Sequence, residues 1–360
     1  MAQPNALPTQ DRLAWLDYAK AIGIILVVFG HASRSIGRTS GLVWSDTLQS
    51  LDAVIYAFHM PLFFLIAGYA AGLQRSQGSF SFLKSLFWGV AVPYFVWSAI
   101  WIGLKVALPD TANVPLDISA LGKILWQPVE HFWFLYHLFF IRAGWYGAKR
   151  LGGSSNTLLI GLTLAAAAAS PVLMTARPDL DWISGFLTNF AIYGIGLVWL
   201  PMLLKQWGDS PPLRLMALGG ALCLWGIAIG GSAGDLWPAI GGALVVVGIA
   251  KALPHPSSWG WRTFAFLGEA SLAIYVMHLI AGTAVRVALT KAGLLNEAAL
   301  LVSATLAGLV IPAVTYRAVL SATERFSFAL TRYMGLGTAT RSSYMSLWPA
   351  AEVKRPLSSS

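Results

Sequence analysis

The sequence predicts an all-α, polytopic membrane protein of about ten transmembrane helices. Of its 360 residues, 57% are hydrophobic and only 11% are charged, whereas an average soluble domain is about 25% charged. The mean hydropathy is +0.66. Apolar runs of the length that crosses a bilayer, about 17 to 25 residues, recur along the chain. These observations exclude a soluble globular domain.

Ten apolar runs predict the spans, with no soluble domain between them. They lie at 13–33, 53–73, 84–108, 131–148, 157–175, 184–204, 213–231, 236–253, 264–284 and 298–320. We divide the chain into an N-terminal segment 1–12, a transmembrane domain 13–322 and a tail 323–360. The tail is rich in Ser, Thr and Arg, so we expect it to be disordered and cytoplasmic.

The distribution of basic residues predicts the orientation. With a cytoplasmic N-terminus, fifteen Lys and Arg lie in cytoplasmic segments and seven in the opposite loops. Because cytoplasmic loops carry the excess of Lys and Arg, we expect both termini to lie in the cytoplasm. The net charge of +9 is spread singly between apolar runs, so no nucleic-acid partner is expected. The one cysteine, Cys223, gives neither a disulfide framework nor a metal-ligand cluster.

The first span carries charges in an apolar helix. In LDYAKAIGIILVVFGH, residues 16–31, Lys20 and His31 are eleven residues apart. On an α-helix this is an angular offset of about 20°, and Asp17 lies within about 40° of His31 on the same face. The axial separation of Lys20 and His31 is about 16 Å. Ionisable side chains in spans are functional candidates, and histidine can accept and return a proton near neutral pH.

Lys20 has two interpretations. It either forms a structural ion pair with Asp17 at spacing i, i+3, or it offers its charge to an anionic ligand from the cytoplasm.

Two further spans, the second and the ninth, also carry ionisable groups. In FHMPLFFLIAGY, Pro61 removes a backbone donor and loosens the second span beside His59. In LGEASLAIYVMH of the ninth span, Glu269 and His278 are nine residues apart and point to opposite faces. One of the two is therefore expected to face a site while the other packs.

The fourth span opens with a polar and aromatic cluster. Its sequence, EHFWFLYH, contains Glu130, Trp133 and Tyr136. We expect Glu130 to orient an imidazole or to accept a sugar hydroxyl. His131 and His137 are six residues apart and do not share a helix face, so they do not form a metal pair.

These four segments, in this order, resemble the acyltransferase 3 family of integral-membrane O-acyltransferases, and within it the fucose 4-O-acetylase-like branch. The resemblance covers about residues 12–320. It implies an acyltransferase 3-like bundle in a bacterial cytoplasmic (inner) membrane. This bundle would move an acyl group, expected to be acetyl, from acyl-CoA to a hydroxyl of a cell-surface or exported glycan. It further implies acetyl-CoA or another acyl-CoA as donor, a glycan or lipid-linked sugar as acceptor, membrane lipid as surroundings, and neither a metal nor a permanently bound cofactor.

The resemblance also implies residue roles. The basic residue, ten positions and histidine of the family match Lys20 and His31, with Lys where many relatives have Arg. His31 is then a base or a transient acyl carrier, supported by Asp17 and Glu130. The residues expected to bind CoA are Lys20 and Lys84, and those expected to bind the acceptor are His59, Trp133, Tyr136, Glu269 and His278.

Two departures from the family accompany these roles. Many relatives carry two arginines before the third span, whereas this chain has one basic residue there, Lys84. The chain is also expected to lack the esterase-like domain that some relatives carry.

Two other functions compete with acyl transfer. One is a proton-coupled glycan or small-solute transporter in which Asp17, Lys20 and His31 form a relay. The other is a non-catalytic membrane scaffold.

Overall fold

The computed structural model describes residues 10–39, 42–73, 78–109, 116–153, 156–208, 211–254, 258–326, 334 and 336. Within these ranges the chain is helical and contains no β-strand, which confirms the predicted all-α class. The predicted N-terminal segment up to residue 9, and the predicted tail beyond residue 326 apart from Met334 and Leu336, lie outside the described residues.

The described residues form fourteen α-helices in chain order. They are α1 (Gln10–Gly37), α2 (Asp46–Leu73), α3 (Ser79–Leu86), α4 (Val92–Ala107), α5 (Ala120–Lys123), α6 (Trp133–Gly152), α7 (Thr157–Ala176), α8 (Asp181–Gly194), α9 (Leu200–Trp207), α10 (Pro211–Ile229), α11 (Gly231–Ala252), α12 (Trp259–Glu269), α13 (Ser271–Lys291) and α14 (Glu297–Phe326). Short 3₁₀ turns precede α6 and α8, at Glu130–Phe132 and Pro178–Leu180.

Nine helical segments in the described ranges are long and apolar enough to cross a membrane. The predicted fourth span forms a helix of spanning length, α6, but it is not among the nine. Its twenty residues include Arg142, Lys149 and Arg150, and each charge is unfavourable in hydrocarbon. The prediction of about ten spans is therefore one above this count.

The predicted ninth span, 264–284, is divided in the structure. Helix α12 ends at Glu269, Ala270 leaves the helical conformation with ψ 1°, and α13 begins at Ser271. Just before this break α12 packs closely against α1, where a Cβ on Gly268 would overlap the backbone of Asp17. The membrane-crossing segment is accordingly Ser271–Lys291.

Two π-helical turns interrupt long helices just before prolines. Phe87–Ala91 precedes Pro93 between α3 and α4, and Ile195–Trp199 precedes Pro201 between α8 and α9. A proline lacks the N–H for the regular helix ladder, and its ring crowds the carbonyl four residues earlier. A wider turn relieves both conflicts without breaking the helix.

Helix α1 lies at the centre of the bundle and contacts α2, α11, α12, α13 and α14. It defines two ends of the molecule. At the His31 end, α1 and α4 terminate and α2 and α6 begin. At the Lys20 end, α2 terminates and α3 begins. The site described below lies at the His31 end.

Glycines allow α2 to pack closely against the second π turn. A Cβ on Gly68 would overlap the carbonyl oxygen of Tyr193, and a Cβ on Gly196 would overlap that of Leu65. Small residues at a crossing let two backbones approach in a membrane protein, as the Gly68 and Gly72 spacing predicts. This crossing fixes the position of α2, which contributes to the wall of the site described below.

We expect Gly68→Ala to destabilise the protein by about 1–3 kcal/mol, because the added methyl group has to displace a backbone. The matched control is Gly161→Ala in α7, where a Cβ meets no atom within 4 Å. This control should leave stability unchanged or raise it slightly, because alanine favours the helix. Thermal unfolding in detergent measures both, and equal midpoints for the two variants would contradict the close crossing.

Candidate functional site

Three imidazole rings from separate elements converge at the His31 end. The ring centroids of His31 in α1 and His278 in α13 are 5.1 Å apart. That of His131, in the 3₁₀ turn before α6, lies 6.1 Å from His31 and 5.6 Å from His278. His131 and His278 are buried, with 6% and 2% of their surface exposed. We call these three residues the histidine triangle.

The hydrogen bonds of His278 determine which ring nitrogen carries its proton. Nδ1 lies 2.7 Å from the carbonyl oxygen of Tyr275 and 3.2 Å from that of Ile274. Carbonyl oxygens only accept, so Nδ1 is the donor, and in the neutral ring Nε2 holds the lone pair. Nε2 is buried and has no hydrogen-bond partner among the described residues. His278 therefore presents an available basic nitrogen inside the protein.

A constrained backbone places His131. Its neighbour Glu130 has a φ of 42°, and it is the one residue other than glycine with positive φ in the described chain. The Tyr275 hydroxyl donates to the carbonyl oxygen of His131, which ties this turn to α13. The Glu130 carboxylate pairs with Lys105 and accepts a hydrogen bond of 3.1 Å from Trp101 Nε1. Strained backbone of this kind persists where surrounding contacts over-determine it, and it clusters at functional sites.

The nitrogens of the His131 ring have an unusual environment. Both of its nitrogens are buried and have no hydrogen-bond partner among the residues that the structure describes. Because buried polar atoms are normally hydrogen-bonded, such an exception indicates a functional role or a bound molecule.

A cavity of about 540 Å³ lies against two members of the triangle. Its wall is formed by α1, α2, α4, the turn before α6, and α13. The lining residues are His31, Arg34, Ser35, Arg38, Tyr56, Trp101, Leu104, Lys105, Leu108, Glu130, His131, Leu279, Ile280, Thr283, Ala284 and Val287. Its volume and its mixture of apolar and polar walls are typical of small-molecule sites.

A second, much smaller cavity is lined by both His31 and His278. It has a volume of about 20 Å³ and is lined also by Ser35 and Thr283. A space of about 10–15 Å³ holds one water molecule if polar partners are present. Two imidazoles and two hydroxyl side chains supply those partners.

An ion pair between a buried carboxylate and a partly exposed guanidinium lies in the wall of the larger cavity. The Arg34 Nε donates to both carboxylate oxygens of Asp52, at 3.0 and 2.9 Å, and the guanidinium lies 3.1 Å from the centre of the Tyr56 ring. The Tyr56 ring contacts His31 and His59, with centroids 6.1 and 4.6 Å away. His59 is buried and bonds through Nδ1 to a backbone carbonyl at 2.8 Å. His59 therefore lies one ring away from His31.

The structure brings together His31, Glu130 and His278, which the sequence selected. Trp133 and Tyr136 do not line the cavity. Trp133 packs with its ring 5.2 Å from that of His137, and the Tyr136 hydroxyl donates to a backbone carbonyl at 3.1 Å.

Four other selected residues lie away from the triangle, toward the Lys20 end. Lys20 pairs with Asp17 at 2.5 Å, as the first interpretation of Lys20 describes. Glu269 terminates α12 beside the crossing with α1. Lys84 is exposed on α3. None of these side chains reaches the histidine triangle.

Sequence reasoning missed several residues of the site. They are Arg34, Arg38, Tyr56, Trp101, Lys105, His131 and Tyr275. His131 was visible as an imidazole next to a carboxylate, but counting helix phase cannot place a ring on a 3₁₀ turn with positive φ at its start. The cations were assigned to loops, where they served only to orient the chain.

The described residues contain no group of three or more His, Cys, Asp or Glu side chains arranged to hold a metal ion.

The fold and the site define a polytopic helical membrane protein with a buried polar centre that opens to a cavity. The acyltransferase domain family known as acyltransferase 3 matches residues 13–317, and the chain belongs to this family. The chain is similar to nodulation protein NolL of Mesorhizobium japonicum, with 28% identity over 192 residues. The matched region covers 49% of this chain and 47% of that relative, so the chain spans about half the length of the curated relative it matches. No solved structure matches the chain.

We expect Asp52→Ala to destabilise the protein by about 1–3 kcal/mol, because the Arg34 guanidinium loses its charged hydrogen bonds in the cavity wall. The matched control is Asp179→Ala, which breaks an Arg–Asp pair of similar geometry whose two side chains are each 59% exposed. The control should leave the thermal midpoint unchanged, because exposed pairs are screened by water. Equal losses in the two variants would show that the Arg34 pair does not support the site.

Proposed function

We propose that the protein is an integral-membrane O-acyltransferase that moves an acyl group, expected to be acetyl, from acyl-CoA to a hydroxyl of a cell-surface or exported glycan. The observation that carries the proposal is the position of His31, on the wall of the 540 Å³ cavity and beside two further imidazoles, in a chain of the acyltransferase 3 family.

The chemistry assigned to His31 is that of a general base. Its imidazole removes the proton of the acceptor hydroxyl while the hydroxyl oxygen attacks the thioester carbonyl carbon. The tetrahedral intermediate then collapses and the carbon–sulfur bond breaks. The CoA sulfur leaves and receives the proton that His31 holds. The products are the O-acyl sugar and the free thiol of CoA. A role of His31 as a transient acyl carrier would use the same two substrates in two steps.

His131 is suited to stabilise the intermediate. A neutral imidazole carries one N–H, and in His131 both ring nitrogens lack partners among the described residues. An N–H directed at the carbonyl oxygen would stabilise the oxyanion of the tetrahedral intermediate, typically the largest electrostatic contribution in acyl transfer. Glu130 and Tyr275 act on the reaction through the position of this ring.

His278 is suited to share the proton held by His31. Its Nε2 carries the lone pair, and the small cavity that both rings line has room for one water molecule. A proton on His31 would then be stabilised through that water without leaving the buried site.

The donor is proposed to approach from the Lys20 end and the acceptor from the cavity at the His31 end. With both termini in the cytoplasm, the Lys20 end is the inner side, where acyl-CoA is made. Lys20 and Lys84 would attract the CoA phosphates as point charges. About 16 Å of helix separates Lys20 from His31, a distance that the extended pantetheine arm can span.

The transporter alternative receives less support. A relay through Asp17, Lys20 and His31 needs these groups within proton-transfer distance of one another. Asp17 and Lys20 pair with each other at 2.5 Å, while the helix rise keeps Lys20 about 16 Å from His31.

The test is acyl transfer by purified protein in detergent, with radiolabelled acetyl-CoA and candidate glycan acceptors. We expect His31→Asn to reduce the label on glycan by at least about 100-fold, because general-base catalysis contributes about 10²–10⁴-fold. Two controls are His137→Asn, an imidazole packed against Trp133 and Phe186 outside the triangle, and Cys223→Ala. Both should retain transfer, and thermal unfolding confirms that all variants are folded.

Transfer by His31→Asn at the wild-type rate would disprove the catalytic assignment. Uptake of a sugar driven by a pH gradient, without any acyl donor, would favour the transporter instead.

A further inference from the structure

The lining of the 540 Å³ cavity is cationic, and we call the part of it at Arg38, the exposed residue that follows α1, the cavity mouth. Three of its lining residues are basic, namely Arg34, Arg38 and Lys105, and one is acidic, Glu130. Two of these cations have carboxylate partners: Arg34 pairs with Asp52, and Lys105 pairs with Glu130.

Arg38 is the cation without a partner. Its side chain forms no ion pair and no hydrogen bond with any residue that the structure describes. It is exposed at the first residue after α1, and it lines the same cavity as His31, seven positions earlier, on the same helix face by spacing. A guanidinium in this position has five N–H donors in a fork that matches a carboxylate or a phosphate.

A fourth cation adds to the positive potential at this end. Arg286 of α13 is 5% exposed, and its Nη1 donates to the Thr39 hydroxyl at 2.9 Å. The Thr39 hydroxyl in turn donates to the carbonyl oxygen of Ser35 at 2.9 Å. The Nε of Arg286 is buried without a partner, and none of the carboxylates in the described residues pairs with this guanidinium.

Arg286 has two effects on the cavity mouth. Its hydrogen bond to Thr39 fixes the turn that carries Arg38. Its charge is only weakly screened because it is buried, so it raises the positive potential across the short distance to the mouth. A buried cation without a counter-ion is unfavourable unless an anion balances it.

We propose that the cavity mouth is an anion site, built around Arg38 and fixed by Arg286, that takes a phosphate or carboxylate group carried by a substrate of the enzyme. This inference rests on the proposed acyl transfer for the identity of the substrates. Two substrates can carry such a group. One is an acidic or phosphorylated sugar acceptor, and the other is CoA. Entry of the acceptor at the His31 end favours the sugar.

The test is equilibrium binding to the full-length protein in detergent. The sugar probes are methyl β-glucuronide and glucose 6-phosphate, with methyl β-glucoside as the neutral match, and CoA is the donor probe. We expect the anionic sugars to bind, the neutral sugar to bind at least tenfold more weakly, and salt to weaken only the anionic probes. Arg38→Gln should weaken anion binding about tenfold, while Arg38→Lys should retain part of it.

The matched control is Arg177→Gln. Arg177 is an exposed arginine at the same end of the bundle and outside the cavity, so its loss should not change binding. If Arg38→Gln weakens the binding of the anionic sugars alone, the anion site belongs to the acceptor. If Arg38→Gln weakens the binding of CoA alone, the same anion site belongs to the donor, and the sugar enters elsewhere. Equal binding of all probes to wild type, Arg38→Gln and Arg177→Gln would overturn the site.

The outcome is separable from that of the proposed function. If the protein transfers acyl groups but binds no anion through Arg38, the proposed function stands and the proposed anion site is wrong. If the protein binds anions through Arg38 but transfers no acyl group, the proposed anion site stands and the proposed function is wrong.

Discussion

The hydrogen bond from Tyr275 to the carbonyl oxygen of His131 joins the two halves of the site. Tyr275 lies one helical turn before His278 on α13, so one element holds both the backbone of His131 and the ring of His278. The Glu130 carboxylate holds the other side of the same turn through Lys105 and Trp101. With these contacts in place, a backbone of positive φ keeps the His131 ring in the triangle. Without them, the turn would relax and the ring would leave it.

The arrangement also explains why so many polar groups tolerate a membrane interior. Around the cavity, Arg34 and Lys105 each have a carboxylate partner, and Arg34 also lies over the face of the Tyr56 ring. Of the eight buried side-chain atoms that lack a hydrogen-bond partner in the described part of the chain, five lie within or beside this site, on Tyr56, His131, His278 and Arg286. The other three are on Ser98, His137 and Thr305. Unsatisfied buried atoms are unfavourable for folding, and their concentration here is consistent with a site that is completed by its substrates.

Sequence reasoning predicted the class of fold, and it selected His31, which the structure places on the wall of the cavity; both predictions came from features that are local. Hydrophobic run length predicts spans, and helix phase places Lys20 and His31 on one face of α1, because both depend only on regular helix geometry. The break at Ala270, the turn at Glu130 and the convergence of His31, His131 and His278 depend on contacts between distant segments. No periodicity encodes those contacts. The same limit explains why Arg34, Arg38 and Lys105 were counted as loop charges rather than as the wall of a cavity.

The central claim is that His31 faces the reacting carbon of an acyl donor inside this chain. The most direct measurement is an experimental structure of the protein in lipid nanodiscs with a non-transferable acetyl-CoA analogue. The account predicts the acyl carbonyl between His31 and His131, within hydrogen-bond distance of a His131 ring nitrogen, with the phosphates toward Lys20. An analogue bound with its acyl group remote from the histidine triangle would contradict it.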